Sequence, residues 1–214
     1  MAKNMSILIH ACCADCLLKL LAVLKQEAGA ILQESSILFY NPNIYPREEY
    51  QARLKAVKTI ALEEKIKLIV PNYKPQEYFE TIGGIESDFE DELKSDFSRV
   101  IMPKQKLRCQ KCWNLRLNFL FKMAKARDFT IVTSTLLSSN YQNQNEIRKI
   151  ALSLAKKYQI EFHEVNEIDH GLKTCGFYKQ NYCGCLFSLI EKSREKYAAS
   201  KINNPNPKYS KSCG

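Results

Sequence analysis

Five short apolar runs punctuate the chain, and the stretches between them have helical spacing. This alternation constrains the fold more than any single motif does. The runs are residues 6–10 (SILIH), 36–40 (SILFY), 66–70 (IKLIV), 129–133 (FTIVT) and 160–165 (IEFHEV). The first is continuous in apolar residues up to His10, as a strand buried on both faces requires. Helices are expected over residues 15–27, 47–64, 109–126, 145–158 and 185–198. In the first, Leu17, Leu18, Leu20, Leu21 and Leu24 form one apolar face, and Pro46 suits the start of the second. Strands that alternate with helices predict an α/β fold with a doubly wound, mostly parallel sheet.

A chain of 214 residues with 45% hydrophobic content has enough apolar material for one core without staples. Residues 1–200 are therefore expected to form a single α/β catalytic domain. An acidic helical insertion is expected at about 74–100, and a disordered tail over 201–214, where Asn203, Asn204, Pro205, Asn206 and Pro207 cluster. No apolar run reaches the roughly 18 residues needed to span a membrane. The first apolar stretch is short and interrupted by His10, so it does not read as a secretory leader. A cytoplasmic location without membrane association is expected.

Nine cysteines are unusual for such a chain, because cytoplasmic thiols seldom serve as disulfide frameworks and more often bind metal or do redox chemistry. They fall into three tight groups: Cys12, Cys13 and Cys16; Cys109 and Cys112; Cys183 and Cys185. Cys175 and Cys213 stand apart. In a parallel sheet, ligands gather at the carboxyl ends of the strands. Cys12-Cys13 follows the first run, Asn41-Pro42-Asn43 the second and Thr133-Ser134-Thr135 the fourth, so these segments are expected to share one rim.

The segment His10-Ala11-Cys12-Cys13-Ala14-Asp15-Cys16 offers soft thiols where a phosphate-binding turn would need glycines. The alternative is that one of these cysteines is simply a small buried apolar residue. His10 reads as a hydrogen-bonded core histidine, and His163 and His170 as incidental. Cys109-x-x-Cys112 at a helix start places two thiols on one face, as a metal pair or a thioredoxin-like redox pair would. Together with Cys12-Cys13 it supplies four thiolates, which suits a [4Fe–4S] cluster or a Cys₄ zinc site equally. In Cys183-Gly184-Cys185 a strained, easily reduced disulfide competes with a further ligand pair or two inert thiols.

The formal net charge is +9 and is uneven. Lys104, Lys106, Arg108, Lys111 and Arg116 surround the second cysteine group, and Lys192, Arg194 and Lys196 follow the third. Such blocks suit RNA, and also suit an ordinary solvated surface. Trp113, Tyr178 and Tyr182 are candidates for base stacking or for packing.

The motifs HACCADC, NPNIYPREEY, RCQKCWNLRL, TSTLLSSNYQNQ and YKQNYCGC, in that order, together resemble the QueH-type epoxyqueuosine reductases. The matches run from His10 to Ser188. The resemblance implies reduction of the epoxide of epoxyqueuosine at the tRNA wobble position, without cobalamin, as the last step of queuosine formation. It implies a fold like that of the PP-loop (adenine nucleotide hydrolase-like) proteins, with cysteines in place of the phosphate loop. Cys12, Cys13, Cys109 and Cys112 would hold a [4Fe–4S] cluster, and Cys183 and Cys185 would be a redox-active disulfide. An additional iron beside the cluster would take Asp15, for which Cys16 competes. The partners would be tRNA carrying epoxyqueuosine and an electron donor whose identity the sequence does not give. This chain has Asp15 where the family often has Pro, and Trp113 where Tyr is usual. A zinc-stabilised RNA-binding module without catalysis is the rival reading. A PP-loop ATP-using enzyme would need a Ser-Gly-Gly type turn, which residues 10–16 lack.

Overall fold

The computed structural model describes residues 5–28, 31–83, 104–139, 142–165, 177 and 182–203. The elements are β1 (Ile7–His10), α1 (Ala14–Ala28), β2 (Ser36–Leu38), α2 (Arg47–Glu63), β3 (Lys67–Ile69), α3 (Pro75–Ile82), α4 (Gln105–Ala126), β4 (Ile131–Ser134), α5 (Gln144–Tyr158), β5 (Glu161–Phe162) and α6 (Leu186–Asn203). Short 3-10 turns at Ile31–Glu34 and Thr135–Ser138 complete the described chain.

The five strands form one sheet in the order β3-β2-β1-β4-β5, and every pairing is parallel. The doubly wound α/β expectation holds. β1 is central, with Ile9 opposite Ile37 on one side and Thr133 on the other. Its pleat sends Ile7 and Ile9 into a core with Leu17, Leu20, Leu21, Leu24, Val57 and Ile60 of α1 and α2. Leu8 points the opposite way, into a core with Leu117, Leu120, Phe121, Ile147 and Ala151 of α4 and α5. A strand apolar at every position is thus explained by helices covering both faces.

The boundaries depart from the expectations in instructive ways. The strands are shorter than the apolar runs: β1 and β4 begin later, at Ile7 and Ile131, and β2 ends at Leu38, where the chain turns into the rim with Phe39 and Tyr40 still buried. α4 begins at Gln105, a full turn before Cys109, so the second thiol pair does not lie at the helix start. α6 runs to Asn203, so the first residues of the expected tail are helical. α3 lies at the start of the expected acidic insertion. The rest of that insertion, residues 84–100, lies outside the described residues, as do 101–103, 204–214, Cys175 and Cys213.

β1 and β4 are neighbours whose chains wind to opposite sides, β1 toward β2 and β4 toward β5. The crevice above them is the switch point, where open α/β sheets bind ligands. The first cysteine group stands there. Among the described residues no helix is long and apolar enough to cross a membrane.

Candidate functional site

The site begins with the hydrogen bonds that fix Cys12. Its N–H donates to Thr135 Oγ1 at 2.9 Å, and that hydroxyl donates to Cys12 Sγ at 3.2 Å. One side chain from beyond β4 thereby holds both backbone and sulfur of a residue beyond β1. Cys12 and Cys13 Sγ are 4.0 Å apart. The ligand atoms of Cys12, Cys13 and Cys16 all lie within 4.8 Å of one another, because the turn into α1 brings residue 16 back over residues 12 and 13. His10 is not part of this donor set: its ring nitrogens meet Ser134 Oγ at 2.9 Å and the Tyr40 carbonyl at 3.1 Å. Burial lowers its pKa to about 3, so it is a neutral, hydrogen-bonded core residue as expected. Asp15 lines the same pocket, with its carboxylate 3.2 Å from Lys19 Nζ.

A second pocket adjoins the first. It is lined by Cys109 and Cys112 of α4, by Cys183 and Cys185, and by Asn43, Tyr78 and Trp113. Arg116, Gln142 and Cys183 line both pockets, so all three cysteine groups meet around a shared wall. Cys183 and Cys185 are free thiols with sulfurs 3.5 Å apart. Their turn is held by the loop after β2: Ile44 and Cys185 form an antiparallel bridge, and the Tyr45 N–H donates to the Gly184 carbonyl at 2.9 Å. Arg53 holds it from below. This arginine is buried, pairs with Glu49 at 2.7 Å, donates to the Cys183 carbonyl at 3.3 Å and lies under the Tyr182 ring.

The electrostatics differ within each group. Hydrogen bonds from the Cys13 and Cys16 thiols hold Cys12 well below the usual thiol range, against its burial and helped by Arg116 and Thr135. Cys13 is pushed to about 12, and Cys16 well up, chiefly because they share the Cys12 sulfur. Burial pushes Cys112 to about 12 and also raises Cys109. A hydrogen bond from Cys185 lowers Cys183 to about 6, while Cys185 rises by the same contact. Within each of two groups one sulfur is thus the more readily ionised, Cys12 in the first and Cys183 in the third, and a thiolate is the form that binds metal or attacks.

The donor set fits a soft, thiophilic metal centre. Three sulfurs close enough to share one ion, with four more cysteines lining the adjoining pocket, match the preference of zinc, iron and iron–sulfur centres for thiolate.

Several expected roles change. Arg108 and Arg116 are not surface cations: they are 2% and 3% exposed. Arg108 pairs with Glu191 at 2.7 Å and packs over Phe187, and Arg116 faces the thiols. Lys111 is exposed. Trp113 is buried in the second core and donates to Gln142 Oε1, so it is a packing residue. Tyr182 is half-buried at the pocket, and Tyr178 lies outside the described residues. The sequence reading missed Arg53, whose i, i+4 spacing from Glu49 looks like that of any surface ion pair, and it missed the individual roles of Thr135 and Asn41 within rim loops it did single out.

Gly184 has φ +102°, and a Cβ there would lie 2.8 Å from the Arg53 guanidinium carbon. Relief would require moving a buried, doubly bonded arginine. Gly184→Ala is expected to cost about 1–3 kcal/mol, seen as a lowered Tm in a thermal melt, and to disturb Cys183 and Cys185 more than the distant sheet.

A parallel α/β sheet with thiols gathered at its switch point defines a cysteine-centred redox or metal protein. The chain belongs to a family of this kind: the family model described as Epoxyqueuosine reductase QueH matches residues 7–191. Membership makes it an oxidoreductase. The Epoxyqueuosine reductase QueH of Thermotoga maritima is 30% identical over 201 residues, covering 90% of this chain and 94% of that one. That of Haemophilus influenzae is 30% identical over 207 residues, covering 92% and 77%. Among solved structures, the U34-tRNA thiolase NcsA from Methanococcus maripaludis with its [4Fe-4S] cluster aligns at a TM-score of 0.41 and 11% identity, over 97% of this chain and 69% of that one. That likeness is too distant to argue from.

Proposed function

We propose that the protein, as a single α/β catalytic domain over residues 1–200, reduces epoxyqueuosine to queuosine at the wobble position of tRNA in the cytoplasm. The observation that carries the reading is the meeting of three cysteine groups around two adjoining pockets with Cys183 common to both, in a chain of the QueH family. Cys12, Cys13, Cys109 and Cys112 are assigned to a [4Fe–4S] cluster. Asp15 and Cys16 are assigned to an additional iron, with Cys16 favoured by its closeness to Cys12 and Cys13. Cys183 and Cys185 are assigned as the redox-active pair.

Removing an epoxide oxygen to leave an alkene takes two electrons and two protons and releases water. The cluster, when bound, would supply electrons singly and the additional iron Lewis acidity. The chain's own residues do the rest. Thr135 fixes Cys12. The Cys183–Cys185 pair gives up two electrons as it closes to a disulfide, the protons for the released water coming from the remaining thiol and from solvent, and an external donor must then reduce the disulfide. Tyr182, on the pocket wall above Arg53, offers a face for the modified base. Exposed cations such as Lys111 and Lys196 offer contacts to the RNA backbone.

The test is incubation of epoxyqueuosine-containing tRNA with anaerobically reconstituted, reduced protein, followed by nucleoside analysis. Conversion to queuosine is expected. Unchanged epoxyqueuosine, with iron and sulfide present and electrons supplied, would falsify the reading. A colourless protein carrying zinc alone would instead favour the non-catalytic RNA-binding module.

A further inference from the structure

Buried cations in this protein mostly have a carboxylate beside them. Lys19 pairs with Asp15, Arg53 with Glu49 and Arg108 with Glu191. Arg116 is the exception among these. It is 3% exposed, and no ion pair among the described residues includes it. Its Nη2 donates to the neutral amide oxygen of Asn41 at 2.7 Å. Its Nε is buried and has no hydrogen-bond partner among the described residues. A buried charge without a counter-charge is strongly destabilising, so something anionic has to face this guanidinium.

What faces it is sulfur. Arg116 lines the pocket of Cys12, Cys13 and Cys16 and also the pocket of Cys109 and Cys112. It stands four residues beyond Cys112 on α4, on the same helix face. Its orientation is set from the opposite side of the site. Asn41 Nδ2 donates to the Ala11 carbonyl at 2.8 Å, one residue before Cys12, which leaves Oδ1 to accept from Arg116. The Asn-Pro-Asn loop after β2 therefore aims a helix-borne cation between two thiol groups about a hundred residues apart in the chain.

We infer that Arg116 is a positioning residue, a counter-charge aimed by Asn41 that offsets the negative charge of the metal–thiolate centre built from Cys12, Cys112 and their neighbours. A divalent ion on four thiolates carries a net charge of about −2, and a guanidinium inside the low-dielectric site stabilises that charge far more than it would in water. The inference rests on the metal-centre part of the proposed function, but not on which metal is bound nor on the reaction.

The experiment uses cobalt(II) as the probe, added anaerobically to the reduced full-length protein. Binding is read from the thiolate-to-cobalt charge-transfer absorption in competition with a chelator. Arg116→Gln is expected to weaken cobalt binding by about tenfold or more, the scale of losses when an outer partner of a metal site is removed. Arg116→Lys, which keeps the charge, is expected to recover most of the affinity. Equal affinity in wild type and Arg116→Gln overturns the inference and leaves the metal centre standing. Equal losses in the Gln and Lys variants also overturn it, since packing alone would then explain them. Failure of the wild-type protein to give the charge-transfer band sinks the metal-centre reading, and the inference with it. If Arg116→Gln does not fold by far-UV circular dichroism, Asn41→Ala decides. It keeps the cation but releases its aim, and is expected to weaken cobalt binding several-fold; unchanged affinity there overturns the inference.

Discussion

Cys12→Ala is expected to give a folded protein that no longer assembles its metal centre. Three contacts converge on this sulfur: the Thr135 hydroxyl at 3.2 Å and the thiols of Cys13 and Cys16, whose hydrogen bonds hold its pKa well below the usual thiol range. Alanine keeps the small buried volume, so the β1–β4 ladder and both cores should persist. The backbone N–H bond to Thr135 does not involve the side chain. Iron and acid-labile sulfide after anaerobic reconstitution should fall by more than about tenfold, since even outer-shell losses cost about 10–100-fold in metal affinity. Conversion of epoxyqueuosine should fall with them. Normal iron and sulfide in a folded Cys12→Ala protein would remove Cys12 from the ligand set.

Cys183→Ser should separate the two halves of the site. Cys183 is the low-pKa member of its pair, lowered to about 6 by its hydrogen bond from Cys185. Serine at this position keeps a hydroxyl near Cys185 but cannot form a disulfide. The centre should assemble to wild-type iron content, because Cys183 lines the pockets without belonging to the assigned ligands. Steady-state turnover should drop by about two orders of magnitude or more, the scale of loss when a directly acting group is removed. Full activity in this variant would end the redox-pair assignment. Lost activity together with lost iron would instead make Cys183 a ligand.

How much of this was legible in the sequence differs between elements. The sheet was readable because β1 is apolar at consecutive positions and is flanked by helical periodicity. That pattern has few alternatives, and the structure covers both faces of the strand as the pattern demands. The rim is readable because strand ends define it, so Cys12 and the segments after β2 and β4 fall together from the strand pattern alone. The start of α4 was not readable from Cys109, because residues 105–108 carry no capping signal and the helix simply extends through them. The least legible features were the arginines. Arg53, Arg108 and Arg116 have the spacing and neighbours of surface cations, and nothing local distinguishes a guanidinium that packs inward. Partners distant in the chain decide it: the Cys183 carbonyl for Arg53, Glu191 for Arg108 and Asn41 for Arg116. Asn41 is a similar case, since a loop asparagine commonly caps or turns the chain, and its alignment with Arg116 depends on residues distant in sequence.

The bridge between Ile44 and Cys185 bears on what holds such a site in place. Cys183 and Cys185 take their address from partners elsewhere in the chain, namely the Tyr45 N–H, Arg53 and the start of α6. Their distance along the chain from β5 does not set that address. A displacement of the Tyr45 backbone or of Arg53 is therefore transmitted directly to the thiol pair, although both lie far away along the chain.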